Sequence, residues 1–87
     1  MNYIRVFASK NCSHCQKLKQ SLSKTDIKIV YVDAMDKNNS MLCDKYNVEK
    51  LPHVQFVDKN KNEIVKEFFG VWDDSTLSKI LKLIDKF

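Results

Sequence analysis

Glycine and proline are almost missing: the 87-residue chain has one of each, Gly70 and Pro52. That excludes collagenous and low-complexity classes, which are built on these residues. Long apolar runs are missing too. The longest, such as Ile29-Val30-Tyr31-Val32, fall far short of the roughly 20 residues that a membrane-spanning helix needs. No secretory signal is read at Met1-Asn2-Tyr3-Ile4-Arg5, which enters a short strand-like run and then polar sequence. Blocks of like charge are absent, although the net charge is +4. Lys59 and Lys61, spaced by Asn60 and Asn62, form the densest basic spot and read as a solvated turn. With no basic stripe and no aromatic residues beside one, nucleic-acid binding is not expected. The three cysteines are an odd number, whereas small secreted scaffolds carry even sets. Reactive thiols or a metal site in a cytoplasmic protein fit better than structural staples.

What is present describes an ordinary soluble chain: 44% hydrophobic and 30% charged residues. One domain, residues 1–87, is expected, with a thin core, because a chain this short buries only about 60–65% of its unfolded surface. Tyr3 to Ala8 reads as a strand, rich in β-branched and aromatic residues. From Cys12 to about Lys24, the residues Cys15, Leu18 and Leu22 recur on one helical stripe. Ile27 to Val32 reads as a buried strand. A helix is expected from the Asp36–Ser40 region, with Leu42, Cys43 and Tyr46 on one face and Asn47 as its left-handed end. His53–Val57 and Glu63–Phe69 read as strands around the turn Asp58–Asn62. Asp73 is a good N-cap, with Trp72 and Leu77 placed as a hydrophobic staple across it. Leu77, Ile80, Leu81, Ile84 and Phe87 then make a strong amphipathic helix. The order β-α-β-α-β-β-α implies an α/β fold: a four-stranded mixed sheet with three helices. The first two strands should be parallel and the last two an antiparallel hairpin.

Chemistry centres on Cys12-Ser13-His14-Cys15. Residues three apart on a helix are neighbours, with Cβ atoms roughly 5–6 Å apart, close enough for a disulfide to open and close with little backbone movement. Free backbone N–H groups and the helix dipole at a helix start favour negative charge, and thiols placed there are reactive. Cys12 is therefore read as the attacking thiolate. Cys15 lies one turn inside, on the Leu18/Leu22 face, and is read as the resolving thiol. A purely structural bridge is the plainer alternative, but closing a loop of about four residues stabilises by only about 2 kcal/mol. His14, as an imidazolium, would stabilise a thiolate at Cys12 and make the disulfide a stronger oxidant; an exposed polar residue is the other reading. Cys12, Cys15, Cys43 and His53 could be imagined as zinc ligands, but the second close pair usual in such sites is missing, and no metal is expected. Cys43 is read instead as a small buried core thiol.

Nearly the whole chain resembles the thioredoxin and glutaredoxin group. The resemblance rests on Cys12-Ser13-His14-Cys15 after a first strand and on Asn47-Val48-Glu49-Lys50-Leu51-Pro52 before a strand with Val54 and Phe56. Leu42, Cys43, Tyr46 and Val48 match the family's helix-then-Val-then-Pro spacing. The resemblance implies a thioredoxin-like fold, a cis bond before Pro52, and a Leu51 backbone free to pair with an extended substrate. Residues alone would suggest an ordinary trans proline opening an edge strand. Departures are clear. Asn11 stands where typical thioredoxins have Trp, Val6 where they have a buried Asp, and Ser13 where both families carry Pro. The opening Val6–Cys12 is similar to glutaredoxins. So is Gly70-Val71-Trp72-Asp73-Asp74, although Val71 replaces a second Gly. By this resemblance Lys10 would attract a glutathione carboxylate, and Asp73 and Asp74 would contact its amino group; helix capping explains the two aspartates equally well.

The sequence thus points to a thiol–disulfide oxidoreductase acting on disulfide-containing proteins. Leu51 and Pro52 shape the substrate groove and His14 tunes the potential. No prosthetic group is expected, and electrons come from either a flavoprotein reductase or glutathione. A monomer without membrane association is expected. Three alternatives stay open: a glutathione-dependent glutaredoxin, a metal or iron–sulfur module using Cys12, and a non-catalytic interaction domain that kept the fold.

Overall fold

The computed structural model describes residues 2–69 and 73–87. Four strands, β1 (Tyr3–Ala8), β2 (Lys28–Asp33), β3 (His53–Asp58) and β4 (Glu63–Phe68), alternate with three helices, α1 (Ser13–Leu22), α2 (Ser40–Lys45) and α3 (Asp74–Lys86). A 3₁₀ turn at Lys37–Asn39 precedes α2. The strands form one mixed sheet in the order β2-β1-β3-β4. β1 and β2 run parallel, Tyr3 opposite Lys28 and Ala8 opposite Asp33, as a helical connection requires. β3 is antiparallel to β1, with Phe7 opposite His53, and β4 returns antiparallel to β3 with a register shift at Phe56/Val57.

Alternation along the strands sorts the side chains onto two faces. Ile4, Val6, Val54 and Phe56 turn to one face, where Leu18 and Leu22 of α1 and Ile80 of α3 complete the core. Full burial of each such side chain contributes roughly 1.5–3 kcal/mol. Leu77, Ile84 and Phe87 pack around this cluster as the helical spacing predicts; Leu83 joins them, whereas Leu81, expected on the same stripe, is not among the described residues packed there. Phe87 meets Phe56 edge-on at 5.1 Å, and Asn2 Nδ2 donates to the Phe87 carbonyl at 2.9 Å, which ties the chain ends together. The other face carries Arg5, Phe7, His53 and Gln55, and Tyr46 at the end of α2 lies against it.

Local chemistry sets the element ends. Asp73 caps α3 by accepting the Thr76 N–H at 2.8 Å. The staple partner expected for it, Trp72, lies outside the described residues, as do Gly70 and Val71. α2 closes with Asn47 at φ 53°, while Val48 N–H donates to the Cys43 carbonyl (2.9 Å) and Asn47 N–H to that of Asp44 (3.3 Å). This left-handed stop satisfies the last carbonyls and turns the chain toward Leu51 and Pro52. In the β3–β4 turn Asp58 Oδ1 accepts the N–H groups of Asn60 (3.0 Å) and Lys61 (3.4 Å). Asn62 there is left-handed at φ 54°.

Three expectations need correction. α1 begins at Ser13, with Cys12 as its cap, and ends at Leu22. β2 is an edge strand rather than a buried one: Val32 alone is buried and Tyr31 is 43% exposed. An apolar run cannot reveal whether its strand is central, and here β1 pairs on its other side with β3. Cys43 is half-buried rather than a core thiol, because no residue of the six-residue α2 is buried.

Candidate active site

Ser9 to Asn11 carry the chain from the end of β1 to α1, and Cys12 N–H donates to the Ser9 carbonyl at 3.4 Å. Cys12 is extended (φ −95°, ψ 110°) and its Sγ takes the place that a Ser or Asp oxygen has in other caps. The Cys15 N–H donates to that sulfur at 3.2 Å. No acidic residue lies in the first turn of α1 to oppose negative charge there. Both thiols are free, Cys12 half-buried and Cys15 only 5% exposed. Burial pushes the Cys15 thiol up to about 12 from 9.0; the hydrogen bond and charge of the Cys12 sulfur add to this, and a backbone contact from Ser9 opposes it.

Ala8, Ser9, Lys10, Cys15, Gln16, Lys19, Tyr31, Val32 and Asp33 surround a cavity of about 240 Å³ behind Cys15. Lys19 Nζ lies 5.4 Å from the centre of the Tyr31 ring, and Gln16 Nε2 donates to the Lys10 carbonyl at 3.4 Å. His14 is exposed and shares a shallow cleft with Lys17, Leu18, Asp73 and Leu77. Asp74 pairs with Lys17 at 3.0 Å, which brings the start of α3 beside α1.

The Leu51–Pro52 peptide is cis and the Pro52 side chain is fully buried. The turn feeds directly into β3. Because His53 is paired with Phe7, it emerges at the end of the sheet where β1 hands over to Cys12. Lys10 lines the cavity beside Cys15, and His14 shares its cleft with Asp73, while Asp73 and Asp74 are held in capping and ion-pair contacts.

A polar network on the second face was not anticipated. His53, 2% exposed, presents Nε2 to Glu67 Oε2 at 2.5 Å; a carboxylate only accepts, so this nitrogen carries the proton. Gln55 Nε2 donates to the same oxygen at 3.3 Å, and Gln55 Oε1 accepts from Arg5 Nη1 at 2.8 Å. Arg5 Nη2 donates to Tyr3 Oη at 2.9 Å. Among the described residues the buried His53 Nδ1 has no hydrogen-bond partner, and the imidazole centroid lies 5.6 Å from that of Phe7 and 5.2 Å from that of Phe69. The alternation His53-Val54-Gln55-Phe56 was the available signal, since it turns His53 and Gln55 away from the core. The four residues weighed as zinc ligands are not gathered: among the described residues no three His, Cys, Asp or Glu groups lie together to hold a metal ion.

A dithiol at the start of the first helix of a βαβαββα sheet, with a cis-proline turn leading into the strand paired with β1, defines the thioredoxin-fold class. The thioredoxin family pattern matches residues 3–83, and the chain belongs to the thioredoxin family. Its structure is similar to that of a Trichomonas vaginalis thioredoxin (29% identity, TM-score 0.76, 99% of this chain and 78% of that one). It also resembles oxidized thioredoxin O2 from Arabidopsis thaliana (20%, 0.75, 100% and 75%) and thioredoxin 1 from Thermosipho africanus (23%, 0.68, 95% and 94%). At such identities the last two speak for the fold alone. No curated protein sequence matches. Membership of this family supports thiol–disulfide oxidoreductase activity in general, on proteins carrying disulfides. Among the described residues, no helix is long and apolar enough to cross a membrane.

Proposed function

We propose that the protein reduces or exchanges protein disulfides through Cys12 and Cys15, in the manner of a thioredoxin. The observation that carries this reading is the inequality of the two sulfurs. One caps a helix and receives a backbone N–H; the other is buried and held protonated. Cys12 thiolate attacks one sulfur of the substrate disulfide. A Cys12–substrate bond forms, the substrate S–S bond breaks, and one substrate thiolate leaves. Cys15 then gives up its proton and attacks Cys12 Sγ. The second substrate thiolate leaves, and Cys12–Cys15 becomes the disulfide. Two electrons have passed to the substrate, whose thiolates take up protons.

Leu51 and Pro52 form the wall of the substrate groove and His14 tunes the potential from the exposed side of α1. The reaction needs no cofactor beyond the cysteine pair, and a flavoprotein reductase or glutathione restores the dithiol. Contacts within the chain favour a protein disulfide over glutathione as substrate. The Asp73 carboxylate is occupied by Thr76 N–H and that of Asp74 by Lys17, so neither is reserved for a glutathione amino group.

Insulin reduction with dithiothreitol as donor tests this. Cys12→Ser should abolish turnover. Cys15→Ser, reduced, freed of dithiothreitol and then mixed with insulin, should stop after one step and accumulate a mixed disulfide visible by mass spectrometry. Thiol-independent turnover, or full activity of Cys12→Ser, overturns the reading.

A further inference from the structure

Four lysines that the sequence scatters meet in one place. Lys66 of β4 and Lys79, Lys82 and Lys86 of α3 line a groove of about 390 Å³ whose floor is Phe68 and Leu83. No carboxylate lines it, and among the described residues none of the four lysines forms an ion pair. The chain's net charge is +4, so this one groove holds as much positive charge as the whole molecule has in excess. On α3 the three lysines stand at i, i+3 and i+7, one above another, where like charges repel. Guarding a sheet edge accounts for Lys66, which lies on the edge strand β4, but not for three lysines on a helix.

We propose that this groove docks an acidic segment of the protein partner whose disulfide meets Cys12. The proposal rests on the thiol–disulfide reading and names the partner's chemistry. Position supports it. Asp74, in the first turn of α3, is bound to Lys17 of α1, and Lys79 and Lys86 follow about 7 Å and about 18 Å further along the helix. A protein covering the usual ~800 Å² can sit on the dithiol end and this strip together. Charge complementarity selects an acidic surface and speeds its encounter. A lipid surface fits less well, because none of the large exposed apolar side chains lies on α3. Single-stranded nucleic acid fits less well too, since Phe68 is half-buried under the Lys66 ammonium and offers no free stacking face.

The test uses two disulfide peptides identical around the disulfide, each with a Gly/Ser spacer of about eight residues, reaching up to roughly 25 Å. One ends in a run of glutamates and the other in a run of lysines. The intact chain should reduce the Glu-tailed peptide with kcat/KM about tenfold higher at low salt, and the ratio should shrink at high salt. Lys79→Glu/Lys82→Glu should invert the ratio and Lys82→Gln/Lys86→Gln should diminish it. Each ratio is read within one protein, so a general loss of fold or chemistry cancels. Equal rates in the intact chain, or a preference that survives charge reversal, overturn the proposal. If neither peptide is reduced, the oxidoreductase reading fails, and the groove is judged by fluorescence anisotropy of a Glu-tailed peptide without the disulfide. Salt-sensitive binding lost in the charge-reversed chain upholds it; no binding overturns it. Tighter binding of single-stranded RNA or of phosphatidylserine vesicles than of that peptide overturns the partner assigned.

Discussion

The proposed division of labour between the two sulfurs rests on the state of Cys15. Its thiol titrates at about 12 rather than 9.0, chiefly because burial removes water from the thiolate and secondly because the Cys12 sulfur faces it. At pH ~7 a thiol at 9.0 is ionised to about one part in a hundred, and one at about 12 to about one part in 100,000. Alkylation proceeds through the thiolate, so Cys15 in the folded chain should react about a thousandfold more slowly than after unfolding, before any steric shielding is counted. The assay is iodoacetamide labelling across neutral to strongly alkaline pH, native and in guanidinium, with peptides resolved by mass spectrometry. Cys12→Ser should lower the native midpoint, yet leave it above 9.0, because burial is the larger cause. Linkage gives a second sign. The folded chain keeps a proton that the unfolded chain loses above 9.0, so the stability contributed by protonated Cys15 is whole below that pH and drains away toward 12. Native labelling of Cys15 at neutral pH within about tenfold of the denatured rate would refute this account.

Two further perturbations follow from contacts outside the dithiol. Asp73→Ala should lower the thermal midpoint at neutral pH by removing the cap. The Thr76 N–H holds the Asp73 carboxyl below its ordinary 3.8, so the difference should close as acid protonates the native cap; a gap unchanged in strong acid would contradict the capping role. Glu67→Ala removes the partner of Nε2 in the buried His53, whose Nδ1 has none among the described residues, and should cost about 1–3 kcal/mol in urea unfolding, partly restored by Glu67→Gln. No measurable loss would show that the pair adds nothing.

Elements governed by local chemistry were open to sequence reasoning. Tyr3–Ala8 announces itself by its β-branched and aromatic residues, α3 by its stripe and the Asp73 cap, and α2's end by Asn47. The dithiol was legible because three-residue spacing and position at a helix start are both local. What depended on distant pairing was not. The run Ile29–Val32 gives no sign that its strand lies at the edge, since that follows from β1 pairing with β3 some 50 residues on. Glu67 finds His53 across a hairpin, 14 residues away. The four lysines of the β4–α3 groove look like scattered solubilising charges until the strand is laid beside the helix.

The peripheral seat of α2 has its own outcome. The helix contributes no buried residue, and Tyr46 at its end meets the sheet through the Phe7 ring at 6.2 Å. Lifting this flap would wet one side of β1 and β3 while the aliphatic layer behind α1 and α3 stayed dry. Amide deuteration of Ser40–Lys45 should therefore run by sub-global opening, far ahead of Ile4, Val6 and Val54. The redox pair would ride through such excursions undisturbed, because α1 is anchored from the opposite side of the sheet.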